Sequence, residues 1–264
     1  EYHGPRSQMM RCIDHPTMLK DASGWGAMCG VSAARMAKAG FTGAPALTLQ
    51  TEHYKDLGKN WLVTQQYFKP YPVCRWAQAP IAAVLDLKVQ HSIESKDISG
   101  VRITSFHEAV RLGQKIVTNT EEAQYSTSFP CAVALVHGDV SPEHIADNAL
   151  KHPEIQRLSS VLTMDEDEKA NAVFPESRLA RADISLKNGQ ILASTWFEPK
   201  WDPSAPPTHE ELTKKFYDYA KPVLGNSRTK AIYEAVLELD SGDTHNLFNL
   251  LYPSIETGHI DVFS

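Results

Sequence analysis

Gln65-Gln66-Tyr67-Phe68-Lys69-Pro70-Tyr71-Pro72-Val73-Cys74-Arg75 alternates two prolines with aromatic and basic residues, and the character of the chain changes around it. Each proline fixes its own φ and holds the preceding residue extended, so Lys69 and Tyr71 are both stretched out in a stiff segment. Beyond it, apolar residues at Ala79, Ala82, Ala83 and Leu87 predict a helix over Arg75 to Val89. Cys74 and Arg75 then fall near a helix N-terminus, where backbone N–H groups point outward and attract anions. Lys69 and Arg75 are therefore expected to flank a pocket for a carboxylate or phosphate.

Upstream of this stretch the pattern is helical. From Gly24 to Ala39, Ala27, Val31, Ala34 and Ala37 recur at three- and four-residue spacing, and Gly40 stands where a C′ glycine ends a helix. A turn follows at Gly43-Ala44-Pro45, and Thr48 to Asp56 is read as a short helix. Trp61-Leu62-Val63 reads as a strand, and downstream of Asn60 candidate strands alternate with helices, which marks the start of an α/β unit near residue 61.

Val101-Arg102-Ile103-Thr104 alternates as a strand does, whereas Glu121 to Val136 reads as a helix interrupted by Pro130. Ser141-Pro142-Glu143 opens another helix with Ser at the N-cap. Ala182, Ile184 and Leu186 alternate with polar residues up to Asn188-Gly189, predicting a hairpin with a type I′ turn. Trp201 to Pro207 is a proline-rich linker, and Thr208-His209-Glu210-Glu211 is a capping box opening a helix to about Tyr219. Helices are also expected over Ser227 to Leu239 and Thr244 to Leu251. The fold class is thus α+β, divided into 1–60, 61–205 and 206–264.

Composition excludes several function classes. The 264 residues carry 42% hydrophobic and 22% charged side chains, as ordinary globular chains do. A formal net charge of −6 argues against nucleic acid or an anionic membrane as partner, since both select for excess Lys and Arg. No apolar run approaches the ~20 residues of a membrane span, and no signal-peptide pattern opens the chain. The four cysteines are widely spaced and form no C-x-x-C pair, so reduced, intracellular thiols are expected. None of the eleven histidines pairs as H-x-x-x-H or H-E-x-x-H, and no glycine-rich phosphate loop follows a strand. Neither metal nor nucleotide cofactor is expected, and Asp165 to Glu168 reads as a solvated acidic face.

Lys69-Pro70-Tyr71-Pro72-Val73-Cys74-Arg75 followed by a helix resembles the lysine-containing signature of the MmgE/PrpD family. Three more segments agree in the family's order: His15-Pro16-Thr17-Met18-Leu19-Lys20-Asp21 with Gly24-Trp25-Gly26-Ala27, then Ala39 to Pro45, then Glu122-Ala123-Gln124-Tyr125-Ser126. The family includes 2-methylcitrate dehydratase, cis-aconitate decarboxylase and iminodisuccinate epimerase. The resemblance covers nearly all of this chain and roughly the last three fifths of a typical member. Glu1 opens the chain without a Met, so either a fragment or a short form is expected.

The resemblance implies a helical domain, to which the C-terminal helices return, with the α/β unit inserted. It also implies a homodimer assembled through helices, a cytoplasmic protein (mitochondrial in a eukaryote), and a metal-independent lyase, a dehydratase or decarboxylase of small di- or tricarboxylates. An epimerase of a dicarboxylate is the alternative; a non-catalytic subunit binding a partner helical domain is another. In such chemistry lysines clamp carboxylates while a neighbouring group removes a proton. His15, Lys20, Lys69 and Tyr125 are the expected catalytic groups, with Arg75, Asp21 and Gln78 as substrate contacts. Many members carry a His where this chain has Gln78, which can hydrogen-bond a substrate but cannot carry a proton.

Overall fold

Alternating burial along Ile98–Ser105 (β1) makes this strand the centre of the structure: Val101 and Ile103 are buried while Ser99 and Arg102 are exposed. The structure, a computed structural model, describes residues 23–47, 54–113, 116–242 and 244–252. It divides into two compact units, one up to Ala205 and one from Pro206 onward. In chain order the first unit contains the helix Ser23–Lys38 (α1), Gln78–Gln90 (α2), β1, His107–Arg111 (α3), Thr120–Tyr125 (α4), Phe129–His137 (α5) and Pro153–Val161 (α6). Then come Leu162–Glu166 (β2), Glu168–Val173 (α7), Ala180–Leu186 (β3) and Ile191–Ala193 (β4).

The sheet order is β2-β1-β3-β4. β1 runs parallel to β2 and antiparallel to β3, which pairs antiparallel with β4. A parallel neighbour requires a crossover, and α3 to α6 supply it. α2 packs on β3, α5 fits against α2 and α6, and α6 lies against β1. Ile81, Leu87, Ile98, Ile103, Phe129 and Leu135 are among the fully buried side chains of this core. A second cluster gathers Trp76, Phe106 and Phe174, with the Phe106 and Phe174 rings stacked at 4.4 Å. The fold is α+β, with a small mixed sheet among helices.

Several local expectations are corrected. Trp61-Leu62-Val63 is not a strand: Leu62–Gln65 is a 3-10 turn, closed by Thr64 donating N–H and Oγ1 to the Trp61 carbonyl. These side chains are exposed, and β-propensity acts through packing on a half-buried sheet face that is missing here. Between Glu121 and Val136 the helix breaks at Ser126-Thr127-Ser128, while Pro130 sits harmlessly in the first turn of α5. After Ser141-Pro142 only the turn Glu143–Ile145 forms, because the chain turns extended again at Ala146. The β3–β4 connection is a three-residue loop: Leu186 N–H donates to the Gln190 carbonyl, and only Gly189 has positive φ (+89°). That is a type I turn closed by a left-handed glycine, since a type I′ turn would need positive φ at Asn188 too.

Elsewhere the local signals were sufficient. α1 spans the expected residues, and Gly40 (φ +90°) ends it while Phe41 N–H reaches the Met36 carbonyl. The helix read over Thr48 to Asp56 falls largely outside the described residues. In the second unit the capping box forms as expected: Glu211 N–H donates to Thr208 Oγ1 and Thr208 N–H to Glu211 Oε2. The helix it opens does not stop near Tyr219; His209–Leu237 (α8) continues past Pro222 and breaks at Gly225 (φ 75°, ψ 166°). The break folds α8 back on itself, so that Tyr233 meets Phe216, Tyr217 and His209. His245–Leu251 (α9) is held by Arg228, whose guanidinium donates to the Leu250 carbonyl.

Candidate anion site at the Lys69 loop

The stiffness expected of Lys69 to Arg75 is enforced by Gln78. Its Oε1 accepts from Tyr71 N–H at 3.1 Å, and its Nε2 donates to the carbonyls of Tyr71, Val73 and Cys74 at 3.1–3.2 Å. With the side chain only 1% exposed, the amide is committed to holding the loop. Gln78 is therefore not positioned as the substrate contact expected of it. Its role follows from chemistry: an amide carries donors and an acceptor at once, as a buried loop of mixed N–H and C=O groups demands.

Arg75 is likewise used inward. The helix begins as a 3-10 turn over Arg75–Ala77 before α2, which leaves the guanidinium buried at 5% exposure. It pairs with Asp202, donates to the carbonyls of Lys200 (3.1 Å) and Phe68 (3.5 Å), and lies 4.1 Å from the Tyr67 ring centre. Burial pulls the guanidinium below its ordinary value, against the attraction of Asp202 and Tyr67, and the like charge of Arg178 adds to the fall. The expected anion contact is a strut from the loop to the Lys200-Trp201-Asp202 segment. Trp201 takes up a positive φ of 68° there, and its carbonyl accepts from Phe68 N–H, one residue before Lys69.

The other side of the loop is tied to α4. Cys74 N–H donates to the Gln124 carbonyl at 2.7 Å, so that this N–H is not presented to an anion. The bond joins the lysine loop to the residue next to Tyr125, uniting two segments 50 positions apart that sequence reading had singled out separately. Lys69 and Tyr125 are both half-buried. Asn119 caps α4 by accepting from Glu122 N–H, and Ser126 Oγ accepts from Phe129 N–H where the chain turns into α5. Tyr71 lies inward, its phenol pushed up to about 12 by burial and then by Asp139, so it stays protonated. His15, Lys20 and Asp21 lie outside the described residues.

Among the described residues no group of three or more His, Cys, Asp or Glu side chains is arranged to hold a metal ion. Cys29, Cys74 and Cys131 are in no disulfide among the described residues, and burial raises Cys131 well above the ordinary range. No described helix is long and apolar enough to cross a membrane. Sequence reading missed Asp202 and Arg178. The first lay in what looked like a linker, the second just before a strand, and neither belongs to a periodic pattern.

The chain is thus an α+β protein whose lysine-bearing double-proline loop is tied on one side to α4 and on the other to the Lys200-Trp201-Asp202 segment. Residues 71–240 match the MmgE/PrpD C-terminal domain, and the chain belongs to the MmgE/PrpD family. Members of that family are generally enzymes, lyases of the dehydratase type among them. A search of curated proteins found no match.

Proposed function

We propose that this chain carries the carboxylate-binding part of a lyase, a dehydratase or decarboxylase, that acts on small di- or tricarboxylates by acid–base chemistry without a metal. The observation carrying this reading is the Cys74–Gln124 backbone bond, which fastens the Lys69 loop beside Tyr125. Lys69, with Lys20, supplies positive charge to a substrate carboxylate, stabilising the negative charge that develops when the adjacent carbon loses its proton. Tyr125 and His15 are the groups for proton transfer, and Asp21 is a further substrate contact. Arg75 and Gln78 act through the loop, as positioning residues.

A binding role has its own support. α1 exposes Trp25, Met28, Val31 and Met36, with Val31 59% accessible, a set of apolar side chains suited to a partner helix or a second copy of this chain. The two readings are compatible when the partner completes the site.

Citraconate or malate should raise the melting temperature of the protein, because a ligand that binds only the native state stabilises it by mass action, about 2.7 kcal/mol at a hundred times Kd. Lys69→Ala should abolish the rise. A full rise in that variant would overturn the reading and reduce the double-proline segment to a turn.

A further inference from the structure

Arg178 is a half-buried guanidinium for which no hydrogen bond or ion pair is found among the described residues, and its Nε is buried without a partner. Its place follows from the backbone. Ala180 and Phe197 exchange two hydrogen bonds, 3.0 and 2.8 Å, as an antiparallel pair. Arg178 stands two residues before Ala180, and Pro199 two residues after Phe197. The next residue, Lys200, gives its carbonyl to Arg75. The Trp201 carbonyl of the same segment holds Phe68 N–H next to Lys69.

The segment 197–202 therefore adjoins both the backbone that leads to Arg178 and the backbone that leads to Lys69. Arg178 also lies near enough to Arg75 for its charge to be felt there, second to burial among the effects that lower Arg75. The charges divide unequally: Asp202 neutralises Arg75, and no carboxylate among the described residues does the same for Arg178. A guanidinium that is partly desolvated without an acceptor is costly, whereas a carboxylate satisfies it through two parallel hydrogen bonds.

We propose that Arg178 is a substrate-binding residue that takes the second carboxylate of a di- or tricarboxylate whose first carboxylate is held at Lys69. Arg178 thereby selects polycarboxylates over monocarboxylates, and supplies the second anion contact expected of Arg75. This rests on the lyase reading above, and the test separates the two.

Calorimetric titration of the purified chain with malate and with lactate, its monocarboxylate counterpart, measures the discrimination directly. Wild-type protein should prefer malate; Arg178→Gln should lose roughly tenfold or more of its malate affinity, the loss of one charged hydrogen-bonded contact, with lactate unchanged. Should the Gln variant lose its native circular dichroism, Arg178→Met, which keeps an apolar stem, decides in its place. Malate binding at wild-type strength in a folded Arg178 variant, with binding still lost in Lys69→Ala, would overturn this inference and leave the lyase reading standing. A wild-type protein that binds neither acid overturns both.

Discussion

Gln78 makes four hydrogen bonds to three loop residues from a site only 1% exposed, so its loss is felt by groups that water cannot easily reach. Gln78→Ala leaves Tyr71 N–H and three carbonyls to find other partners, and each buried group left unsatisfied costs about 1–3 kcal/mol. Urea denaturation should show a loss of about 2–4 kcal/mol in stability, partly recovered by Gln78→Glu only at low pH, where a protonated carboxyl again offers a donor. A loss under 0.5 kcal/mol would show that the loop holds itself. Arg75 follows the same logic with charge: its hydrogen bonds to Phe68 and Lys200 and its pair with Asp202 fix the loop from the opposite side. In the proposed reading these two residues act by positioning a third that touches substrate, Lys69.

At the end of α5 three imidazoles meet. His137 stacks on His144 at 4.0 Å, its plane within 5° of parallel, and His152 approaches edge-on at 5.7 Å. His144 Nδ1 accepts from Ser141 N–H, a bond that requires the unprotonated nitrogen. Burial holds His137 below its ordinary pKa, the charges of His144 and His152 lower it further, and Glu143 opposes them. The sign follows: above about pH 6.5 His137 is neutral folded and unfolded alike, but as pH falls through that value the unfolded chain takes up a proton that the native state resists. Stability should therefore fall between pH 7.5 and 5, and His137→Asn should flatten that slope. Parallel pH profiles of urea midpoints for the two proteins would sink the account. The same stretch explains why the helix expected after Ser141 is only a turn: Ser141 N–H goes to His144, and Asp147 turns away to accept from Thr120 at the start of α4.

The unit up to Ala205 carries the sheet and both buried clusters, yet its helix α1 shows large apolar side chains to solvent. Gly24, Gly26 and Gly30 have nothing within 4 Å of where a side chain would stand, so these small residues are not filled against neighbours within the described chain. A helix with that surface is expected to associate, and interfaces between obligate partners bury about 2,000 Å² or more. Sedimentation at micromolar concentration should show dimers or larger species, and Val31→Glu should shift them toward monomer. A wild-type protein that sediments as a monomer at that concentration would overturn the expectation. The unit from Pro206 is organised otherwise, by a helix folded on itself at Gly225 around Tyr233.

Much of this was legible in the order of residues alone. The length of α1 and its stop at Gly40, the strand at Val101 to Thr104, the hairpin at Asn188-Gly189 and the capping box at Thr208 all depend on forces acting within a few residues, and the family follows from a short string of them. The turn type at Gly189 and the exposed 3-10 turn at Leu62 were decided elsewhere, by register against β3 and by the want of a half-buried sheet face under Trp61, Leu62 and Val63. What the loop residues do was decided only by tertiary structure. Arg75 became a strut because its carboxylate lies 127 residues away, at Asp202, and Arg178 came near the site because Ala180 pairs with Phe197. Partners that distant leave no periodicity in the sequence, since their meeting depends on how strands and helices are packed rather than on spacing along the chain.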